Sequence, residues 1–207
     1  MRLVALGDSI SIDEYPLRET GRPGLGAVSL FHRDLTARYG AVEKLDLTAD
    51  GATTHDVLSW QLPKVDRSND ECIVTITAGG NDMLMNLRAP RVPSRFAENI
   101  VERVAEIVTR TLDKLPHALV LLGTVYDPSD GTNVLYGERL DREAQWLATV
   151  NAGIRSIDRV RLIDIHRHFL GHGVTAPESE RWYWSGLIFE PNARGASEVR
   201  KLWLEAL

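Results

Sequence analysis

The segment Met1-Arg-Leu-Val-Ala-Leu-Gly-Asp-Ser-Ile-Ser11 decides how the rest of the chain is read. Leu3, Val4, Ala5 and Leu6 form a short unbroken apolar run. Such a run, closed by the turn-forming residues Gly-Asp-Ser, predicts a strand buried on both faces, as in a parallel sheet. The strand is expected to stop at Gly7. Ser9 would then lie at the carboxyl end of the strand, the edge at which open α/β sheets bind ligands. A serine held there can meet a substrate, and its own backbone N–H can help bind an oxyanion. Ser9 is therefore the candidate nucleophile. Gly-Asp-Ser is also ordinary punctuation between a strand and a loop, so the triplet gains weight only from what accompanies it.

Two further islands accompany it. Ala49-Asp-Gly-Ala-Thr53 forms a glycine turn, and Thr77-Ala-Gly-Gly-Asn-Asp82 follows directly on the apolar strand Cys72-Ile-Val-Thr-Ile-Thr77. With Gly-Asp-Ser at the start, a glycine turn near residue 50 and Gly-x-Asn-Asp after the third strand, the chain resembles the SGNH (GDSL-type) hydrolase family along essentially its whole length. The resemblance implies a three-layer α/β/α, flavodoxin-like fold with a five-stranded parallel sheet.

Length and composition agree with one domain spanning residues 1–207. The chain has 207 residues, 43% hydrophobic and 26% charged, the mix of a folded globular protein with enough length for a proper core. A formal charge of −5 leaves no general basic footprint for nucleic acid or an anionic membrane. Cys72 is the single cysteine, so no internal disulfide forms, and its place in an apolar strand predicts a small buried side chain. No apolar run approaches the roughly 20 residues needed to span a bilayer. Strand residues begin right after Met1-Arg2, leaving no room for a signal peptide, so a cytoplasmic location is expected if this is the complete gene product.

Strands and helices alternate along the chain. Ile10 to Gly26, rich in Pro, Gly and charge, predicts a long loop. A helix is expected over Ala27–Tyr39 with Gly40 as its stop, then a second strand over Val42–Leu47. Thr53 or Thr54 caps a further helix. Ser94 is expected to cap the longest helix, whose apolar stripe runs Phe96, Ile100, Val104, Ile107 or Val108, Leu112 and Leu115. A fourth strand is expected over His117–Val125, a polar loop over Tyr126–Gly137, a helix over Asp141–Ser156, a fifth strand over Val160–Ile165 and a last helix over Ala193–Leu207. This alternation calls for a parallel sheet with right-handed crossovers and helices on both faces. Asp127 and Asp130 lack the fuller spacing of a calcium loop and are read as turn carboxylates.

Acyl transfer from an ester needs a nucleophile, donors for the developing oxyanion and a base for the serine proton. By the resemblance, Ser9 attacks, while the backbone N–H groups of Ser9 and Gly51 and the side-chain amide of Asn81 bind the oxyanion. Taken alone, Gly51 is equally a plain turn glycine, and Asn81 could cap the helix that follows Gly80. Asp8 and Asp82 are expected to hold these loops by binding backbone N–H groups. The base departs from the family pattern. Where SGNH hydrolases carry Asp-x-x-His before Pro-Asn and the last helix, this chain reads Leu187-Ile-Phe-Glu-Pro-Asn192, placing Glu190 at the histidine's position.

A carboxylate of ordinary pKa, about 4.3, is a poorer base for serine than an imidazole near about 6.5, unless an apolar pocket raises it. His172, in Gly171-His-Gly173, is the alternative base, with His166 and His168 near it at the end of the fifth strand. The trio has no convincing metal-ligand spacing, so no metal is expected. No Gly-x-Ser-x-Gly elbow, P-loop or Gly-x-Gly-x-x-Gly is present, and no cofactor is expected. The function expected is a serine esterase acting on small esters or acetylated, including carbohydrate, substrates. The alternative is an SGNH fold that has lost turnover and binds acylated or carbohydrate ligands. Trp182-Tyr-Trp184 either lines such a pocket or packs the last helix on the sheet.

Overall fold

The structure, a computed structural model, describes residues 1–207. Its centre is a five-stranded parallel sheet in the order β2-β1-β3-β4-β7, built from β1 (Arg2–Gly7), β2 (Glu43–Asp46), β3 (Cys72–Thr77), β4 (Ala118–Gly123) and β7 (Arg161–Ile163). Two small antiparallel hairpins flank it, β5 (Val134–Leu135) with β6 (Glu138–Arg139), and β8 (Tyr183–Trp184) with β9 (Leu187–Pro191). Helices α1 (Glu14–Thr20), α2 (Ala27–Tyr39), α3 (Thr54–Asp56), α4 (Gly80–Leu84), α5 (Phe96–Lys114), α6 (Asp141–Arg155), α7 (Ile165–Phe169) and α8 (Ala193–Glu205) fill the connections.

The apolar run in β1 behaves as a doubly buried strand must. Val4 and Leu6 face one core with Val74 and Ile76 of β3, beneath α5 and α6. Leu3 and Ala5 face the other core with Ile73, beneath α2 and α8. Alternate residues of one strand thus serve two layers, and for this reason the run shows no polar alternation. The stripe of α5 is buried as its spacing requires, with Ile100, Val104, Ile107 and Leu115 fully inaccessible. Strand order reverses at β1, since β2 lies on one side and β3 on the other. The crevice above the carboxyl ends of β1 and β3 is the topological switch point, where ligands bind in such sheets.

Three expectations need correction. Residues 10–26 are not one loop, because α1 occupies Glu14–Thr20. Pro16 is tolerated there because its missing N–H falls in the first turn, which has no intrahelical acceptor. Ser94 does not cap α5; Arg95 holds that position without a side-chain bond. The segment 126–137 is not wholly loop, since its end pairs as β5 of a hairpin whose tip, Tyr136-Gly137, takes positive φ at both residues. Thr53 does cap α3, in a reciprocal capping box with Asp56. Beyond α3 the helix widens into a π-turn over Val57–Gln61 before a 3-10 turn at Leu62–Lys64. No helix is long and apolar enough to cross a membrane.

Candidate active site

β1 ends against β3 at a point where no side chain fits. Gly7 has φ +129°, and a Cβ there would stand 1.9 Å from the Thr77 carbonyl oxygen. Glycine is thus required both by the backbone angle and by the approach of the two strands. The two polar groups of Gly7 are taken by one side chain. Gly7 N–H donates to Gln61 Oε1 at 2.7 Å, and Gln61 Nε2 donates to the Gly7 carbonyl at 2.8 Å. Gln61 is fully buried and sits at the end of the π-turn.

Ser9 follows, opening a 3-10 turn over Ser9–Ser11. First-turn N–H groups have no acceptor within the helix, so the Ser9 N–H stands at a position suited to an anion. Asp8 N–H donates to the Thr77 carbonyl at 3.1 Å, and the Ser11 and Thr77 hydroxyls meet at 3.0 Å. The serine turn is thereby fixed to the end of β3.

Asn81 lies inside α4 rather than at its cap, which is Gly79 with φ +109°. The Asn81 amide donates to the Ala52 carbonyl at 3.0 Å, tying it to the turn that contains Gly51. Gly51 has φ +69° and nothing near its missing Cβ. One amide hydrogen of Asn81 remains after the bond to Ala52. Asp82 holds the neighbouring loop, accepting from Thr54 N at 2.8 Å, Thr54 Oγ1 at 2.6 Å and Arg103 Nη2 at 3.0 Å.

Glu190 comes from the other face of the sheet. β9 pairs with β8, Tyr183 opposite Pro191. The Tyr126 hydroxyl donates to the Phe189 carbonyl, fixing the residue before Glu190. Asn192 caps α8 by accepting from Gly195 N at 2.8 Å and donating to the Arg181 carbonyl at 2.8 Å. Gly195 must be glycine, since a Cβ would lie 2.1 Å from the Trp182 carbonyl. With both ends held, Glu190 projects into the crevice at 5% exposure, its Oε2 without a partner. Burial pushes its carboxyl up to about 8; the nearby Ser9 hydroxyl opposes the shift, and negative Asp8, Asp50 and Glu14 reinforce it. Asp8 is also buried, with Oδ1 unpartnered. Burial pushes it up to about 7 against hydrogen bonds from Thr77 and Ile10.

Asp8, Ser9, Asn81 and Glu190 line one pocket of about 120 Å³. Gly51 is joined to it only through Ala52, and the three histidines do not line it. His172 stacks flat on Trp182, rings 3.6 Å apart and 7° from parallel, with Nδ1 3.3 Å from the Glu180 carbonyl. His172 thus rests on Trp182, outside the pocket that Ser9 lines. His168 Nε2 is bound to Glu198 at 2.8 Å. His166 is half-buried, and burial pushes its pKa down. Leu187 is at the exposed start of β9.

Trp182 and Tyr183 pack in the core with α8, so the Trp-Tyr-Trp segment is mainly packing. Asp127 accepts from Ser129 and Gly131, and Asp130 from Gly171, Gly173 and Thr175, which makes both of them loop clamps. No group of three or more metal-ligating side chains is present.

Gln61, Arg103 and Tyr126 were not foreseen from sequence. For Gln61 the only available signal was a lone amide between Trp60 and Leu62 in an apolar helix.

Comparison with known proteins agrees with this geometry. Solved structures of the same fold include a protein described as a GDSL-like lipase from Parabacteroides merdae ATCC 43184, at 17% identity and TM-score 0.74, covering 99% of this chain and 94% of that one. The acetyl xylan esterase AlAXEase superposes with TM-score 0.70 at 16% identity, covering each chain fully. Phospholipase A1 from Streptomyces albidoflavus NA297 does so with TM-score 0.66 at 21% identity, covering 100% of this chain and 99% of that one. No curated protein is detectably similar in sequence. At these identities the superpositions establish the fold alone. The sequence profile of the GDSL-like Lipase/Acylhydrolase family, however, matches residues 5–197, and the chain belongs to that family of carboxylic ester hydrolases.

Proposed function

We propose that this protein hydrolyses carboxylic esters through a Ser9 acyl-enzyme, with Glu190 as the base. The observation that carries this reading is the meeting of Ser9, Asn81 and a buried, half-unpartnered Glu190 in one pocket at the switch point of the sheet. Ser9 Oγ attacks the ester carbonyl carbon as its proton passes to Glu190. The carbonyl oxygen, now negative, is received by the Asn81 amide and the Ser9 N–H, with the Gly51 N–H as a further donor from the adjoining turn. Collapse expels the alcohol, which takes the proton back from Glu190. Water then attacks the acyl-enzyme, Glu190 again accepts the proton, and Ser9 leaves with the proton restored as the acid departs.

A raised pKa makes Glu190 a stronger base than a solvated glutamate, at the cost of a smaller ionised fraction at neutral pH. Asp8 and Asp82 are support: Asp82 through its three donors, Asp8 through the negative charge it places near Glu190. The test is turnover of p-nitrophenyl esters together with fluorophosphonate labelling of Ser9, both lost in Ser9→Ala. A folded wild-type protein that does neither overturns the proposal in favour of ligand binding without turnover.

A further inference from the structure

The pocket that holds Ser9 does not end at the reacting groups. It extends beneath Met83, Leu84 and Leu87 of α4 and its following turn, Leu135 and Leu140 of the hairpin region, and Leu147 of α6. These residues come from three separate segments, and polar groups outside the pocket hold the segments together. Arg142 of α6 donates to the Leu87 and Ala89 carbonyls at 3.3 and 3.0 Å, and Arg88 pairs with Glu138 of β6 at 3.0 Å. The apolar extension is thus a built wall continuous with the nucleophile.

We propose that this extension receives the acyl chain of the substrate, and that the enzyme prefers acyl groups of about four to eight carbons over acetyl. The inference rests on the ester-hydrolase reading of the same site. Its upper size follows from the volume: the whole pocket, Ser9 included, is about 120 Å³, somewhat less than the roughly 150 Å³ of a cavity that holds benzene, so the extension suits a short or medium chain and not a long one. Its direction follows from the proton. The departing alcohol oxygen must receive a proton from Glu190, which reaches the crevice on β9 from the side of α2 and α8, packed with Ile188. Met83 belongs to the opposite core, beneath α5 and α6. A tetrahedral carbon on Ser9 that turns its leaving oxygen toward Glu190 therefore turns its acyl substituent toward α4 and α6.

The test keeps p-nitrophenol constant and varies the acyl group from acetate through butyrate to hexanoate and octanoate. A parallel series keeps acetate constant and lengthens the alcohol. At about 0.8 kcal/mol per buried methylene, each methylene that is buried raises kcat/KM about fourfold, so burial of only two of the four added between acetate and hexanoate gives about tenfold or more. Leu147→Phe and Leu84→Phe, made separately and checked by circular dichroism, each lower the hexanoate-to-acetate ratio at least tenfold. Acetate cleaved as well as hexanoate, a ratio unmoved in both folded variants, or dependence on alcohol length in place of acyl length overturns the inference while leaving the hydrolase reading intact. Failure to cleave any ester, with Ser9 unlabelled by fluorophosphonate, overturns both.

Discussion

Asp82 and Glu190 are almost equally buried, at 7% and 5% exposure, but only Glu190 lines the pocket that holds Ser9. Asp82 has a full set of donors, from Thr54 N, Thr54 Oγ1 and Arg103. Glu190 has an oxygen with none. Burying a carboxylate costs free energy that hydrogen bonds and an opposite charge can offset. Where that compensation is complete the group fixes a loop; where it is withheld the group is left basic and available for a proton. Between these two carboxylates the difference lies in their partners, and not in their burial.

The largest test of this contrast removes the nucleophile. Ser9→Ala should lower kcat by about 10⁴-fold or more, the scale seen when serine hydrolases lose theirs. Residual turnover close to wild type, measured with p-nitrophenyl butyrate, would place the chemistry elsewhere. Glu190→Gln comes next, with a loss of about 10²- to 10⁴-fold expected for a general base. The same change should leave the fold intact and raise its stability at alkaline pH. Because the folded carboxyl is pushed from 4.5 to about 8, its contribution to stability is fully present below about pH 4.5 and is lost as pH rises through 8. The melting-temperature gap between Glu190→Gln and wild type therefore widens from pH 5 to pH 9, and a gap that stays constant would contradict the buried-base assignment.

Asn81→Ala should cost about 10²- to 10³-fold in kcat as an oxyanion donor is lost. If it instead melts early and keeps wild-type kcat on the folded fraction, its bond to the Ala52 carbonyl is its whole role. Smaller for each pH unit is the pH effect on wild type. Glu190 must be ionised to act, so kcat/KM should rise about tenfold per unit below its pKa and level off above about 8. A plateau already reached at pH 6 would exclude it. The smallest kinetic effect belongs to Asp82→Asn, which should destabilise the protein by about 1–3 kcal/mol, by weakening its bonds to Thr54 and Arg103, while kcat changes less than tenfold.

The parts of the molecule legible from sequence are those governed by local pattern. β1 could be read because a strand buried on both faces shows as an unbroken apolar run, and α5 because its stripe is long and regular. Ser9, Asn81 and Glu190 could be picked out because they stand where the resembled family carries its motifs, after β1, after β3 and before the last helix. What stayed hidden depends on contacts far apart in the chain. Gln61 meets Gly7 across 54 residues, and Tyr126 meets Phe189 across 63, with no periodicity to announce either. The packing of His172 was hidden for the same reason. Its glycine neighbours suggested freedom, whereas the stacking surface that restrains it, Trp182, lies ten residues on.

The π-turn over Val57–Gln61 gives this architecture an unusual sensitivity to insertion and deletion. A helix advances about 100° per residue, so an insertion or deletion that the wide turn does not absorb rotates everything after it by that angle. Gln61 would then face away from Gly7, leaving the N–H of that glycine unpaired and its carbonyl with the Ala49 N–H alone at the base of the serine turn. The length of this short segment, more than its composition, is what natural variation should preserve.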